Sequence, residues 1–186
     1  MGGGAAKCKW VDLSGTDGDP HIMSPANIMS VTDDIDPHHV EMMRRALKAA
    51  DEAERLGEVP IGCVITGDHG EIVATGYNQP ITDRDPTGHA EIKALRKAGQ
   101  VVGNYRMRFT TLYVTVEPCV MCAGAISQAR VGRIFYGAPS PGYGAVENGV
   151  RYFDHVTGEN RPDEIYTGLL ADEAAAKLQA FFRARR

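Results

Sequence analysis

The sequence lacks the features that mark disulfide-bonded, secreted and membrane-spanning proteins. It has four cysteines in 186 residues, which is too few for a disulfide framework and favours a reducing compartment. No apolar run approaches the ~18 residues that suggest a membrane span, and residues 1–15 contain no apolar signal-peptide core. These absences predict a cytoplasmic protein with no membrane segment.

The sequence also lacks the excess of basic residues that nucleic-acid binding usually requires. Its formal net charge is −4 at pH 7, but this excess lies in residues 1–36, which contain two lysines and six aspartates. Residues 37–186 carry 18 basic and 18 acidic groups, and 177–186 hold four basic residues and no acid. A neutral domain with such local basic patches is compatible with a small RNA stem-loop as partner.

The composition divides the chain at about residue 36. Residues 1–36 are rich in Gly, Ser, Asp, Asn and Pro and show no helical or strand period, which predicts a flexible N-terminal extension. Asp36-Pro37 is typical of a helix cap followed by the first helical residue. Residues 37–186 are therefore predicted to form one domain.

Helical and strand patterns alternate along this domain. The alternation predicts one α/β domain, in which a sheet of about five strands lies between layers of helices. The first predicted elements are a helix from Pro37 to Gly57, a hairpin turning at 67–70 and a polar loop at 78–88. A helix opened by His89 and stopped by Gly99, a strand at 110–116, a helix begun by Pro118 and a strand at 131–137 follow. The last predicted elements are a loop at 138–150, a short strand near 164–170 and a helix at 171–186.

Two short strings carry the chemistry, and each opens a helix. They are His89-Ala90-Glu91 and Pro118-Cys119-Val120-Met121-Cys122. Cys119 and Cys122 lie on one face of a first helical turn, where the helix dipole lowers a thiol pKa and favours the thiolate that binds metal. His89 supplies a third ligand, and a three-ligand zinc site leaves one position for water.

Glu91 is predicted to stand beside the open coordination position. There it takes a proton from zinc-bound water and passes it to a substrate nitrogen. This is the chemistry of hydrolytic deamination, in which a ring carbon is attacked and ammonia leaves.

Three other interpretations of these motifs remain open. A redox Cys-x-x-Cys motif leaves His89 and Glu91 without a role. A closed structural zinc site needs a fourth ligand, and Cys63 lies in the middle of an apolar strand, where a buried inert thiol is expected. A zinc-stabilised RNA-binding module is the non-enzymatic alternative. The combination of H-x-E with P-C-x-x-C is, however, the signature of the zinc deaminases of nucleobases.

The sequence resembles the bacterial tRNA-specific adenosine deaminases of the cytidine-deaminase-like superfamily. The resemblance runs from about Pro37 to Arg186, and EPCVMCAGAI and the FFR ending are its most specific parts. The matching strings are EVPIGCVI, GYNQPI, DPTGHAEIKALR, NYR, TLYVTVEPCVMCAGAI, VGRIFYGA, GAVENGVRYF, TGLLADE and FFRARR.

The resemblance implies a three-layer α/β/α fold, a homodimer and one zinc ion per subunit. It also implies conversion of adenosine to inosine at the wobble position (A34) of a tRNA anticodon stem-loop. His89, Cys119 and Cys122 are then the zinc ligands, and a zinc-bound hydroxide attacks C6 while Glu91 shuttles the proton.

The resemblance extends to a set of substrate contacts. Asn78 matches the family's asparagine at the target nucleotide, and the Ala90 backbone matches the group that contacts the base. Val59 and Pro60 match the wall of the pocket, and Pro118 completes the set.

One loop departs from the family pattern. Where many members carry Asp and Lys in a loop that approaches the nucleic acid, this chain has Ser140 and Gly142. The departure motivates an alternative substrate, a free nucleobase or nucleoside of purine or cytosine type, deaminated at the same zinc site.

Overall fold

The computed structural model of the chain describes residues 25–32 and 34–185. Six strands and five α-helices occur in these ranges. The strands are β1 (Ile28–Ser30), β2 (Gly62–Thr66), β3 (Ile72–Tyr77), β4 (Thr111–Val116), β5 (Arg133–Ala138) and β6 (Glu164–Thr167). The helices are α1 (Pro37–Arg55), α2 (Pro80–Asp83), α3 (Ala90–Val102), α4 (Val120–Ala129) and α5 (Ala171–Arg183), with short 3-10 helices at Tyr152–His155 and Gly158–Asn160.

The strands form one mixed sheet in the order β1-β6-β5-β4-β2-β3. Strand β2 is antiparallel to β3 and β4, whereas the β4–β5, β5–β6 and β1–β6 pairs are parallel. The predicted sheet between helical layers is confirmed, and it has six strands where about five were expected.

The additional strand is β1, in the stretch predicted to be a flexible extension. Ile28 pairs with Ile165 of β6, and its side chain packs against the main core. Ile28–Ser30 thus forms a strand inside a stretch whose sequence shows no strand period, because a short apolar segment gains both ladder hydrogen bonds and burial at the sheet edge. Residues 1–24 of the predicted extension lie outside the described residues.

Helices cover both faces of the sheet, as the predicted three-layer α/β/α arrangement requires. Helix α1 contacts β2, β3 and β4, and α5 contacts β4 and β5. Met43 of α1 packs with Val64, Tyr113 and Phe135 of the sheet, and Leu47 of α1 packs with Ala138 of β5 and Ala174 of α5. Helix α3 lies on β2 and β3 and also contacts α4, and the core beneath them includes Leu112.

Several predicted helix boundaries differ in the structure, and helix α4 begins at Val120 rather than at Pro118. Helix α3 runs through Gly99 and ends before Gly103, whose φ of 70° is the left-handed conformation that glycine adopts readily. Pro80 begins the short helix α2 inside the stretch predicted to be a polar loop. The cap at Asp36 is as expected, since its carboxylate accepts a hydrogen bond from the His38 N–H at 2.8 Å.

No helix in the described ranges combines the length and the apolar character that a membrane crossing needs.

Gly76 lets the start of α3 lie directly on β3. A Cβ at this position would be 2.3 Å from the Ala90 carbonyl oxygen and 2.6 Å from the Ala94 nitrogen, both backbone atoms. This close approach fixes the first turn of α3, and with it the His89-Ala90-Glu91 motif, at the end of the sheet.

Candidate metal centre and active site

The three predicted zinc ligands lie at the starts of two neighbouring helices. His89 is the N-cap of α3, Cys119 is the N-cap of α4, and Cys122 lies in the first turn of α4. Both N-cap residues have extended backbones, which turn their side chains out of the helical path. Because α3 and α4 contact each other, the two helix starts bring the imidazole and both thiols together.

The geometry of these donors fits a zinc ion. The ligand atoms of His89, Cys119 and Cys122 all lie within 4.8 Å of one another. His89 Nδ1 is 3.7 Å from Cys119 Sγ and 3.5 Å from Cys122 Sγ. Tetrahedral zinc with its usual Zn–N and Zn–S bonds requires an N–S separation of about 3.5 Å. The donor set of two sulfurs and one nitrogen is one that zinc uses at catalytic sites.

The charges at the site favour a bound cation. A hydrogen bond from the Cys122 thiol, assisted by His89, lowers the pKa of Cys119 to about 4. The same bond raises the pKa of Cys122, which is the proton donor of the pair. His89 has a raised pKa chiefly because of its hydrogen bond with Cys119. Coordination of a cation would hold both cysteines as thiolates.

Glu91 lies beside these ligands and is almost fully buried, at 4% exposed. Burial raises the pKa of its carboxyl to about 7. The charge on Cys119 acts in the same direction, while His89 and a hydrogen bond with Cys122 oppose it. A carboxyl whose pKa lies near neutrality is well suited to accept and return a proton.

The arrangement can perform hydrolysis at a ring carbon. A zinc ion held by His89, Cys119 and Cys122 would activate a water molecule for attack. Glu91 can then carry a proton from that water to the leaving side of the substrate, since it is buried, ionisable and next to the ligands. Burial also excludes bulk water from the proton transfer.

Three of the predicted substrate-contact residues, Asn78, Ala90 and Pro118, are next to the metal ligands in the chain or hydrogen-bonded to a residue that is. The side-chain oxygen of Asn78 accepts a hydrogen bond from the Ala90 N–H at 2.9 Å, and Asn78 is buried. The Asn78 N–H donates to the Ile61 carbonyl at 3.1 Å, and Ile61 directly follows Val59 and Pro60 in the chain. Pro118 is buried directly before Cys119.

Comparison with known proteins agrees with this geometry. The family model for the cytidine and deoxycytidylate deaminase zinc-binding region matches residues 37–138. The tRNA-specific adenosine deaminase of Haemophilus influenzae is 46% identical over 146 residues, which cover 78% of this chain and 84% of that protein. The chain belongs to the tRNA-specific adenosine deaminase family. It is therefore a zinc-dependent hydrolytic deaminase.

Two solved structures of deaminases are similar to this chain in sequence and in fold. One, from work on A-to-I editing by tRNA:A34 deaminases at the wobble position of transfer RNA, is 43% identical with a TM-score of 0.70. The match covers 74% of this deaminase and 99% of that chain. A guanine deaminase from Bacillus subtilis is 34% identical with a TM-score of 0.53, over 78% of this chain and 94% of that one.

One turn of this deaminase that sequence reasoning missed holds His89 in place. The Asp85 carboxylate accepts hydrogen bonds from the Thr87 N–H at 2.8 Å and the Thr87 hydroxyl at 2.7 Å. The Gly88 carbonyl then accepts from the Gln79 N–H at 2.9 Å. An aspartate two residues before a threonine, in Asp-Pro-Thr-Gly, is the sequence signal for such a turn.

A second missed residue of this deaminase is Glu117, which is buried two positions before Cys119. Burial acts to raise its pKa, but hydrogen bonds from Asn148 and Ser140 outweigh burial, so the pKa lies below its usual value. The only feature of the sequence that points to a role for Glu117 is its position as an acidic residue at the end of a largely apolar strand.

Proposed function

We propose that this protein deaminates adenosine to inosine at the wobble position (A34) of a tRNA anticodon stem-loop. The observation that carries the proposal is the His89, Cys119 and Cys122 cluster with Glu91 buried beside it, in a chain 46% identical to a tRNA-specific adenosine deaminase. Water adds at C6 of the adenine ring while Glu91 moves one of its protons to N1. The proton of the resulting C6 hydroxyl then passes to the amino group, which leaves as ammonia, and C6 becomes a carbonyl. One zinc ion per subunit completes the site.

The proposed substrate contacts are Asn78, Ala90, Val59, Pro60 and Pro118. Their support is spatial, because the Asn78 amide is tied to Ala90 at the start of α3 and to the segment before β2. In this arrangement the Asn78 side-chain oxygen is already used by Ala90, which leaves its NH₂ group to donate to the target nucleotide. A cytoplasmic location follows from the proposed tRNA substrate.

The experiment that tests this function is an inosine assay on an isolated anticodon stem-loop that carries A34. The zinc-loaded protein is expected to convert A34 to inosine, and a matched stem-loop with G34 serves as the blank. Absence of inosine from fully zinc-loaded protein would overturn the proposed function.

Deamination of a free nucleobase or nucleoside of purine or cytosine type is the second candidate. The 34% identity to a guanine deaminase favours it, as do Ser140 and Gly142 in place of the family's Asp and Lys. Ammonia release from guanine, cytosine or adenosine, combined with no product from the stem-loop, would establish this candidate in place of the first.

We further propose that the protein is a homodimer formed through a groove between α3 and α4. The groove has a volume of about 700 Å³. It begins next to the metal ligands, since Thr87 and Met121 line it, and its rim carries Tyr105, which is 61% exposed. Its apolar lining comes mainly from Ile92, Leu95, Met107, Met121, Ala125 and Ala129. A second copy of this chain would bury that apolar surface and place the two active sites near the interface.

Replacing Tyr105 with aspartate is expected to dissociate this dimer, because the change replaces an exposed aromatic ring at the edge of the groove with a charge that the dimer would have to bury. Light scattering after gel filtration should show the molar mass falling from twice 20.1 kDa to 20.1 kDa. Val150→Asp is the control, since Val150 is 56% exposed and lies outside the groove. A wild-type protein that runs as a 20.1 kDa monomer at micromolar concentration would contradict the proposal.

A further inference from the structure

A single buried carboxylate organises the loop at residues 139–149, hereafter the 139–149 loop. Glu117 follows β4 and is 4% exposed. Its Oε1 accepts hydrogen bonds from the N–H groups of three consecutive residues at one end of the loop, Val146 (3.1 Å), Glu147 (2.8 Å) and Asn148 (2.9 Å). Its Oε2 accepts from the Ser140 N–H at 2.9 Å and from the Asn148 side-chain amide at 2.6 Å.

The same loop is joined to the metal centre. The Ala145 N–H donates to the Pro118 carbonyl at 3.0 Å, and Gly144 forms a backbone bridge with Cys119. Gly144 is buried against Glu117, and a Cβ there would lie 2.2 Å from the Glu117 Oε2. The position of the loop relative to a metal ligand is therefore set by the Glu117 carboxylate and by the small size of Gly144.

The tip of the loop presents an aromatic ring to solvent. Tyr143 is 85% exposed, although both ends of its loop are held by hydrogen bonds to Glu117. An exposed aromatic ring on a fixed backbone can stack on a nucleotide base, and such stacking tolerates any base.

We propose that Glu117 is a positioning residue for a polynucleotide substrate. It holds the 139–149 loop so that Tyr143 stacks on a nucleotide next to the target adenosine. Glu117 itself contacts no reacting atom. This inference rests on the proposed function, and it assigns the recognition of the flanking strand to a loop that lacks the family's Asp and Lys.

Glu117→Gln is the test, because glutamine keeps the shape but loses one acceptor. Its NH₂ group would face either the three N–H groups around Oε1 or the two donors around Oε2, so one half of the network breaks. Stem-loop KM is expected to rise at least about tenfold, which is the scale of one lost base–aromatic stack. The kcat should stay within about threefold and the zinc content should not change.

Tyr143→Ala distinguishes positioning from a general structural role. It should raise KM by a similar factor, and the Glu117→Gln/Tyr143→Ala double variant should be no more than about twofold weaker than either single variant, because both act through one contact. Glu54→Gln is the matched control, since Glu54 is exposed on α1, which packs on the face of the sheet opposite to α3 and α4.

Three outcomes would overturn the inference while the proposed function stands: an unchanged KM, a fall in kcat alone, or fully additive effects in the double variant. If Glu117→Gln does not fold, Gly144→Ala takes its place, because the added methyl displaces the loop and leaves the carboxylate intact. Gly144→Ala is then expected to raise KM at least about tenfold, and an unchanged KM overturns the inference. Absence of inosine from the wild type overturns the proposed function, and the strand-positioning role with it.

Discussion

Replacing Glu91 with glutamine is expected to lower kcat for inosine formation by at least about 10³-fold, while the protein keeps its zinc. General acid–base catalysis by one side chain contributes roughly 10²–10⁴-fold. In the described part of the chain, Glu91 is the only carboxyl group beside the metal ligands whose pKa is raised. Glutamine preserves the shape of the side chain but cannot carry the proton. Single-turnover kinetics on the A34 stem-loop, together with a zinc assay, measure both expectations.

Glu91→Gln also separates an enzyme from a zinc-stabilised RNA-binding module. If the protein is only a binding module, the wild type and Glu91→Gln should both bind the stem-loop and zinc, and neither should form inosine. Glu54→Gln, on the exposed surface of α1, should leave kcat unchanged. Full activity in Glu91→Gln would remove Glu91 from the mechanism, and a parallel loss of zinc would make it a ligand instead.

Replacing Cys122 with alanine is expected to empty the metal site and abolish activity. The variant retains one thiol and one imidazole, and two ligands hold zinc far more weakly than three. Zinc content after dialysis should fall below about one tenth of the wild-type value. A zinc ion present at a free concentration of 100 times its Kd stabilises the folded protein by about 2.7 kcal/mol. Loss of zinc binding removes this stabilisation, so the thermal midpoint of unfolding should also fall. Metal analysis and thermal unfolding with added zinc measure these changes.

Cys63 provides the matched control for this experiment. It is fully buried in β2, and burial raises the pKa of its thiol well above the usual value, so it behaves as a small apolar side chain. Cys63→Ala should keep its zinc and its activity. If Cys122→Ala retained zinc at the wild-type level, the three-ligand assignment would be wrong. Treatment of the wild type with a chelator should reproduce the Cys122→Ala phenotype and be reversed by zinc.

The parts of the fold that depend on local pattern could be predicted from the sequence. The Asp36 cap, the hairpin and the alternation of strands with helices all rest on residues close together in the chain. Gly99 was misleading because a glycine inside a helix costs only about 1 kcal/mol, which the burial of Ala98 and its neighbours offsets. Strand β1 was missed because its partner, β6, lies more than a hundred residues away.

The metal ligands were predictable because they belong to two local motifs at helix starts. The spacing of Cys119 and Cys122 and the H-x-E string point to zinc before any distance is known. The role of Glu117 was not predictable, since its hydrogen-bond partners come from a loop about thirty residues later. The contact between Asn78 and Ala90 likewise required the close approach of α3 to β3 at Gly76, which no local pattern specifies.

Strand β1 also changes how this protein meets its neighbours in solution. Without β1, the outer backbone groups of β6 would form an open edge on which another chain could add a strand. With β1 in place, β6 becomes an interior strand, and the exposed edge on that side is only three residues long. An edge strand this short is a poor template for strand addition, so β1 leaves little backbone on this side of the sheet for another chain to pair with.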